Sequence, residues 1–321
     1  MARAFVFPGQ GSQVVGMGQA LADALPTARE VFEEVDEALS QKLSQLMFEG
    51  PIEELTLTEN AQPALMAMSV AVMRVLRQDG GLEFGEHCQF VAGHSLGEYS
   101  ALCAADALPL DVTARLLKKR GQAMQKAVPV GVGTMAALLG LDFETASGVA
   151  KDAAKGEAGG GTGDQVCDIA NDNAPGQVVV SGNVEAVERA VELAKDRGAR
   201  RPMVLPVSAP FHCALMQPAA DIMAEALETA PLVAPAVPLV ANVSAEATSD
   251  PDEIRKMLVT QVTAMVRWRE CVLYLRDQDV DNLVEVGAGK VLTTMLKRID
   301  KEVSGLALSE PDQIEAFLKD M

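Results

Sequence analysis

The chain has 321 residues, 49% of them hydrophobic, and carries a formal net charge of −18. That length buries a large core, as one big domain or as a domain carrying an insert, and the acidity argues against nucleic-acid binding. No apolar run approaches the ~18 residues that span a bilayer, so no membrane partner is expected. Five scattered cysteines without any C-x-x-C pair point to reduced thiols in a cytoplasmic protein with no structural metal site.

Met1-Ala2-Arg3 runs straight into the strand Ala4–Phe7, without the long apolar region and cleavage site of a signal peptide. Pro8-Gly9-Gln10-Gly11-Ser12-Gln13 stops that strand. Such a loop either brings backbone amides to a ligand or is an ordinary turn. The dinucleotide fingerprint G-x-G-x-x-G fails, because Val14 stands where the last glycine is required. From Arg29 to Phe48, Val31, Val35, Leu39, Leu43 and Leu46 recur at helical spacing. Pro63 begins a second helix that runs through Leu76 and ends at Asp79-Gly80-Gly81.

Gln89–Ala92 is an apolar strand that enters Gly93-His94-Ser95-Leu96-Gly97, and an Ala/Leu-rich helical segment leaves it. Strand, Gly-x-Ser-x-Gly turn and helix are the marks of a nucleophile elbow. Both glycines are needed because a Cβ at either place would collide with the neighbouring strand or helix. Leu110–Lys126 reads as a helix whose apolar stripe includes Arg120, three after Leu117 and four before Met124. An arginine there either snorkels to the edge or is held inside for a carboxylate. Lys118 and Lys119 point off the stripe and read as solvated.

Residues 131–205 read as a separate unit. Its elements are the strand Met135–Leu139, the helix Phe143–Ala154, a glycine-rich loop expected to be mobile at 156–163, the strands Val166–Ala170 and Gln177–Ser181 joined by 171–176, the helix Val184–Arg197 capped by Asn183 and closed by Gly198, and the strand Arg201–Leu205. Beyond it come Val207–Cys213, a helix from Ala214 to Thr229, a short strand at Val237–Val240, helices at Pro251–Ala264 and Trp268–Asp277, a strand at Asn282–Val286, a helix at Gly289–Arg298 and a last helix after Pro311. Gly287-Ala288-Gly289-Lys290 lacks the spacer of a phosphate-binding loop. The predicted fold class is α/β: a parallel-sheet, α/β-hydrolase-like main domain (1–130 and 206–321) with an inserted ferredoxin-like βαββαβ subdomain (131–205).

A serine nucleophile needs a base within hydrogen-bond reach, and the chain has three histidines, His87, His94 and His212. His94 adjoins Ser95 and leaves the turn in another direction, and His87 lies at the far end of the strand. His212, after a strand and at a Pro-bounded turn, is the candidate. The stretch between Ser95 and His212 is largely the insert, so no acid is well placed in the main sheet. The third partner is either a backbone carbonyl or a later amide.

These segments resemble the malonyl-CoA:acyl carrier protein transacylase family. The likeness rests on Phe7–Gln13, Gly93–Ala101, Arg120, Asn173–Val179, Phe211-His212 and Val284–Gly287, in the family's order along the whole chain. It implies that Ser95 carries a malonyl ester, that His212 is base and then acid, and that the amides of Gln10 and Leu96 form the oxyanion hole. It further implies that Arg120 binds the malonyl carboxylate, that Gln261 orients the histidine through its carbonyl, and that Phe211 crowds out an α-methyl branch. Met265 departs from the family, standing where a proline usually precedes Val-x-Trp. The implied partners are malonyl-CoA and acyl carrier protein, with no cofactor and no metal, and a monomer is expected. Because both proteins are acidic, a local basic patch is needed for docking. Its candidates are Lys118, Lys119, Arg200, Arg201, Arg267, Arg269 and Lys290.

Overall fold

β1 (Arg3–Phe7) sends Phe5 and Phe7 into the core on one side and Ala4 and Val6 into the core on the other, as a strand covered on both faces must. The computed structural model describes residues 2–155 and 165–321. The glycine-rich loop read at 156–163 lies outside them. After β1 come α1 (Gln19–Ala24), α2 (Pro26–Leu39), α3 (Leu43–Glu49), α4 (Ile52–Leu55) and α5 (Thr58–Gln78). The single helix read over Arg29–Phe48 is therefore two. Ser40 takes a left-handed φ of 49°, and the Asp36 carboxylate accepts from the Ser44 amide at 2.8 Å, starting α3 afresh. The apolar spacing carries across the break because both helices bury their stripe in one core. Pro63 does not begin α5 but sits inside it, and the helix is buried nearly all round.

Next are β2 (Phe90–Gly93), α6 (Gly97–Ala104) and α7 (Leu110–Lys126). α7 crosses α5 closely at Gly121, where a Cβ would lie 2.5 Å from the Thr58 carbonyl oxygen. Then follow β3 (Gly133–Leu139), α8 (Phe143–Ala154), β4 (Cys167–Ala174), β5 (Gln177–Asn183), α9 (Val184–Asp196) and β6 (Arg201–Val204). β4 extends through Asn171-Asp172-Asn173, which read as a connection. Those polar side chains are used against the rest of the molecule: Arg269 pairs with Asp172 at 2.7 Å. Asn183 holds the N-cap position of α9, but its side chain accepts from the Val166 amide and not from the helix.

The chain ends with α10 (Gln217–Glu228), β7 (Leu239–Val240), β8 (Ala247–Thr248), α11 (Pro251–Gln261), α12 (Trp268–Asp277), β9 (Asn282–Val286), α13 (Val291–Ile299), β10 (Ser304–Leu308) and α14 (Pro311–Lys319). The two strands β8 and β10 had no clear sequence signal. β10 is an edge strand, largely exposed and interrupted by Gly305.

Two sheets result. The first has the order β10-β9-β1-β2-β7-β8, parallel except for β8 against β7. The second is antiparallel, in the order β4-β5-β3-β6. Its elements follow one another as β-α-β-β-α-β, with a core of its own against α8 and α9. In the parallel sheet Phe7 lies opposite Gly93, and Ala92 opposite Val240. The loop after β1, the turn after β2 and the chain after β7 thus leave the same carboxyl edge side by side, where open parallel sheets hold their ligands.

Candidate active site

At that edge Ser95 is held at φ 54°, a left-handed conformation that costs on the order of 1–3 kcal/mol. The turn has no room to relax. A Cβ on Gly93 would lie 1.9 Å from the Gly97 carbonyl carbon, and one on Gly97 would lie 2.3 Å from the Phe7 carbonyl oxygen. The Asn242 side chain ties the two sides of the turn together. Its Oδ1 accepts from the Ser95 amide at 2.8 Å, and its Nδ2 donates to the Gly93 carbonyl at 2.7 Å.

His212 Nε2 is 2.8 Å from Ser95 Oγ, and His212 Nδ1 is 2.8 Å from the Gln261 carbonyl oxygen. A carbonyl can only accept, so the ring proton sits on Nδ1 and Nε2 is free to accept from the serine hydroxyl. The third partner is thus a backbone carbonyl. It is available because α11 stops at Gln261, short of the Ala264 that the sequence suggested, and the last carbonyls of a helix lack intrahelical partners. Met265 directly precedes a fastened residue. Val266 is fastened to β4 by its amide to the Ala170 carbonyl and by its carbonyl from the Asp172 amide. Burial, with the nearby Arg120 charge adding to it, pushes the His212 pKa down to about 3. His94 bonds Asn173 Oδ1 at 2.8 Å, and His87 bonds the Glu83 carbonyl, so neither serves Ser95.

Arg120 is held inside: 1% of it is exposed. Nη1 donates to Gln62 Oε1 at 2.9 Å, while Nη2 donates to Gln261 Oε1 at 2.9 Å and to Ser95 Oγ at 3.2 Å. The Tyr99 ring lies 5.8 Å from the guanidinium carbon. Among the described residues no carboxylate forms an ion pair with it, although Glu98 is near enough to act through its charge. Desolvation lowers the Arg120 pKa, the sign of a buried cation without an anion in contact.

Ser95, His212, Arg120, Gln10 and Leu96 all line one cavity of about 450 Å³, with Met124, Met135, Val179 and Phe211 among its apolar walls. Among the described residues neither the Gln10 nor the Leu96 amide donates to a protein acceptor, so both can serve a developing oxyanion. Gln261 stands behind the cavity. A larger groove beside Arg74 and Arg77 contains none of these residues. Gln62, Glu98, Asn171, Asn173 and Asn242 belong to the site or its support and were missed as such; Glu98 and Asn173 fall in segments that carry the family likeness, and Gln62 and Asn242 are polar residues embedded in apolar stretches. Of the basic candidates, Lys118 is not free. It bonds Gln41, Asn60 and Glu59. Arg267 pairs with Glu270 and Arg269 with Asp172.

The family model for the acyl transferase domain matches residues 4–310, which makes the chain an acyltransferase. A malonyl CoA-acyl carrier protein transacylase of Escherichia coli (strain K12) is 46% identical over 98% of each chain. The crystal structure of an acyl-carrier-protein-S-malonyltransferase from Bartonella henselae is 54% identical, covers 100% of this chain and 99% of its own, and superimposes with a TM-score of 0.95. A type II PKS acyl-carrier protein in complex with its malonyl-transacylase matches at 42% identity and a TM-score of 0.94, with 100% of each chain covered. The chain belongs to the malonyl-CoA:acyl carrier protein transacylase family.

The depressed His212 pKa sets a pH expectation. A histidine whose folded pKa falls from 6.5 to about 3 stays neutral, and able to accept a proton, until the pH approaches the lower value. The stability contributed by its neutral burial is likewise present above 6.5 and lost as the pH falls towards 3. Acylation of Ser95 by a chromogenic acetate ester should therefore show no half-loss of rate near pH 6.5. A limb centred there would mean that His212 titrates as a solvated imidazole.

Proposed function

We propose that this chain transfers the malonyl group from malonyl-CoA to the phosphopantetheine thiol of acyl carrier protein through a malonyl ester on Ser95, supplying extender units for fatty acid or polyketide synthesis. The observation that carries this reading is the Arg120 guanidinium, buried beside Ser95 Oγ and in contact, among the described residues, with two carboxamides, a hydroxyl and an aromatic ring but with no carboxylate. A substrate that brings its own carboxylate supplies the missing anion, in the bidentate geometry that arginine favours.

In the proposed cycle Ser95 Oγ gives its proton to His212 Nε2 and attacks the thioester carbonyl, whose oxyanion takes the Gln10 and Leu96 amides. His212 then protonates the departing CoA thiolate. In the second half the carrier thiol gives its proton to His212 and attacks the malonyl ester, and Ser95 Oγ recovers the proton as it leaves. Gln261 keeps the imidazole oriented through its carbonyl, and Phe211 at the cavity wall narrows the space for an α-methyl branch. The transfer needs no metal or redox cofactor. We assign the parallel-sheet part (1–130 and 206–321) as the catalytic domain and 131–205 as a ferredoxin-like insert. We place the protein in the cytoplasm as a monomer.

Intact-mass analysis after mixing with malonyl-CoA should show a malonyl adduct that Ser95→Ala lacks. A malonyl adduct on the Ser95→Ala protein would sink the assignment. Arg120→Ala should lose malonyl-CoA acylation far more than acetyl-CoA acylation, since breaking an ion pair inside a protein costs ~3–5 kcal/mol. Equal losses would make Arg120 a structural residue.

For docking, Lys119, Arg200, Arg201 and Lys290 are exposed and lack an ion-pair partner among the described residues. Arg201 starts β6, whose opposite end leads to the cavity-lining Leu205, whereas Lys290 adjoins the cavity-lining Val291. We therefore centre the patch on Lys290 with Lys119. Reversing both charges should raise the KM for carrier protein while leaving Ser95 acylation by malonyl-CoA intact. A parallel fall in both half-reactions, or no change in either, would put the patch elsewhere.

A further inference from the structure

Behind the cavity lies a buried polar cluster that the acyl-transfer cycle does not use directly. Glu98, on the first turn of α6, is 1% exposed and does not line the cavity. Both of its carboxyl oxygens accept: Oε1 from the Asn242 amide and Oε2 from Gln261 Nε2, each at 2.5 Å. The same Gln261 Nε2 lies 3.0 Å from the Ser95 carbonyl oxygen and 3.3 Å from Asn242 Oδ1. Every neighbour of that nitrogen is therefore an acceptor. On the other side Gln261 Oε1 faces Arg120 Nη2, which can only donate. A flipped carboxamide would set Nε2 against the guanidinium and Oε1 against three oxygens, so one orientation is enforced.

We propose that Glu98 is the positioning residue of this site: by accepting on both oxygens it fixes the Gln261 carboxamide, which in turn aims Arg120 at the substrate carboxylate beside Ser95. This rests on the reading of Arg120 as the carboxylate reader. An ionised carboxylate is required because both facing groups are N–H donors, and these two bonds together with the Arg120 charge oppose the burial that raises the Glu98 pKa to about 8. Glutamine at 98 would offer one acceptor and one donor, and its NH2 would meet either the Asn242 amide or Gln261 Nε2. The backbone amide cannot turn away, so the escape left is for Gln261 to flip and present its own NH2 to Arg120. The arrangement also explains why the carboxyl group stands one residue back. Placed directly against Arg120 it would occupy the guanidinium that the substrate needs. With a neutral amide between them, the cation is oriented but not consumed.

The test compares single-turnover acylation of Ser95 by malonyl-CoA and by acetyl-CoA, read by intact mass, in the wild type and in Glu98→Gln, Glu98→Asp and Gln261→Glu. Glu98→Gln should lower the malonyl-to-acetyl rate ratio on the order of 10²-fold, the usual consequence of misplacing a reacting constellation by about 1 Å. Glu98→Asp keeps both acceptors on a shorter stem and should recover part of the ratio. Gln261→Glu puts a carboxylate in contact with Arg120 and should abolish the malonyl preference from the other side. An unchanged ratio in Glu98→Gln, whatever the loss common to both substrates, would reduce Glu98 to a structural residue and overturn the proposal. Should neither Glu98 variant fold, retention of the malonyl preference by Gln261→Glu would overturn it instead. A wild type that does not prefer malonyl-CoA would defeat the reading of Arg120 itself, a different failure.

Discussion

A guanidinium buried without an anion in contact is costly, and much of the structure around it serves to hold that one group. Water is replaced by two carboxamides, Gln62 and Gln261, a serine hydroxyl and the face of Tyr99. None of these carries a charge, and among the described residues Nε has no hydrogen-bond partner, so the guanidinium is partly solvated and not neutralised. Bringing Arg120 to Gln62 depends on the close crossing of α7 over α5, which only a residue without a side chain allows at Gly121. Bringing it to Gln261 depends on where α11 stops. Packing density in the helical layer and the placement of a buried cation at the sheet edge are therefore one design.

The elbow supplies the second constraint. Ser95 keeps its left-handed backbone because Gly93 and Gly97 let the turn press against α6 and the end of β1, and because Asn242 bonds the groups on either side of His94. Strain of that kind persists only where the surroundings over-determine it. Asn242 can reach the turn because β7 pairs in parallel with β2, so its chain emerges at the same edge. The register of a two-residue strand thus decides whether Ser95 is presented at that edge.

Ser95, His212 and Arg120 were legible in the sequence because each breaks a local pattern: a serine between glycines after an apolar run, a histidine at a Pro-bounded turn, an arginine on an apolar stripe. Gln62, Glu98 and Asn242 were not legible, because what makes them matter is a contact across the fold. Asn242 lies 147 positions from Ser95 and Gln62 lies 58 from Arg120. The polar run Asn171-Asp172-Asn173 reads as a connection because local polarity cannot distinguish a solvated loop from a strand whose polar side chains reach Arg269 and the cleft. Edge strand β10 and the break at Ser40 failed for a related reason. The first buries too little to leave an alternating pattern, and the second interrupts the backbone without interrupting the apolar stripe.

Two of the titratable groups that line the cavity, His212 and Arg120, also act on each other. Burial comes first in depressing the His212 pKa, and the positive charge of Arg120 comes second. An imidazole beside an uncompensated cation is a poor proton acceptor, because its protonated form is repelled. On the proposed reading, a malonyl carboxylate entering the site cancels that charge at the moment the serine proton must be taken. Nothing of the kind happens with an acetyl group, which leaves Arg120 bare and His212 weakly basic. Discrimination then arises in the chemical step as well as in binding, since the interaction strengthens as positive charge develops on the ring. The malonyl advantage over acetyl should accordingly appear in the single-turnover rate at saturating donor as well as in the half-saturating concentration. An advantage confined to the latter would mean that Arg120 binds the carboxylate without lending it to His212.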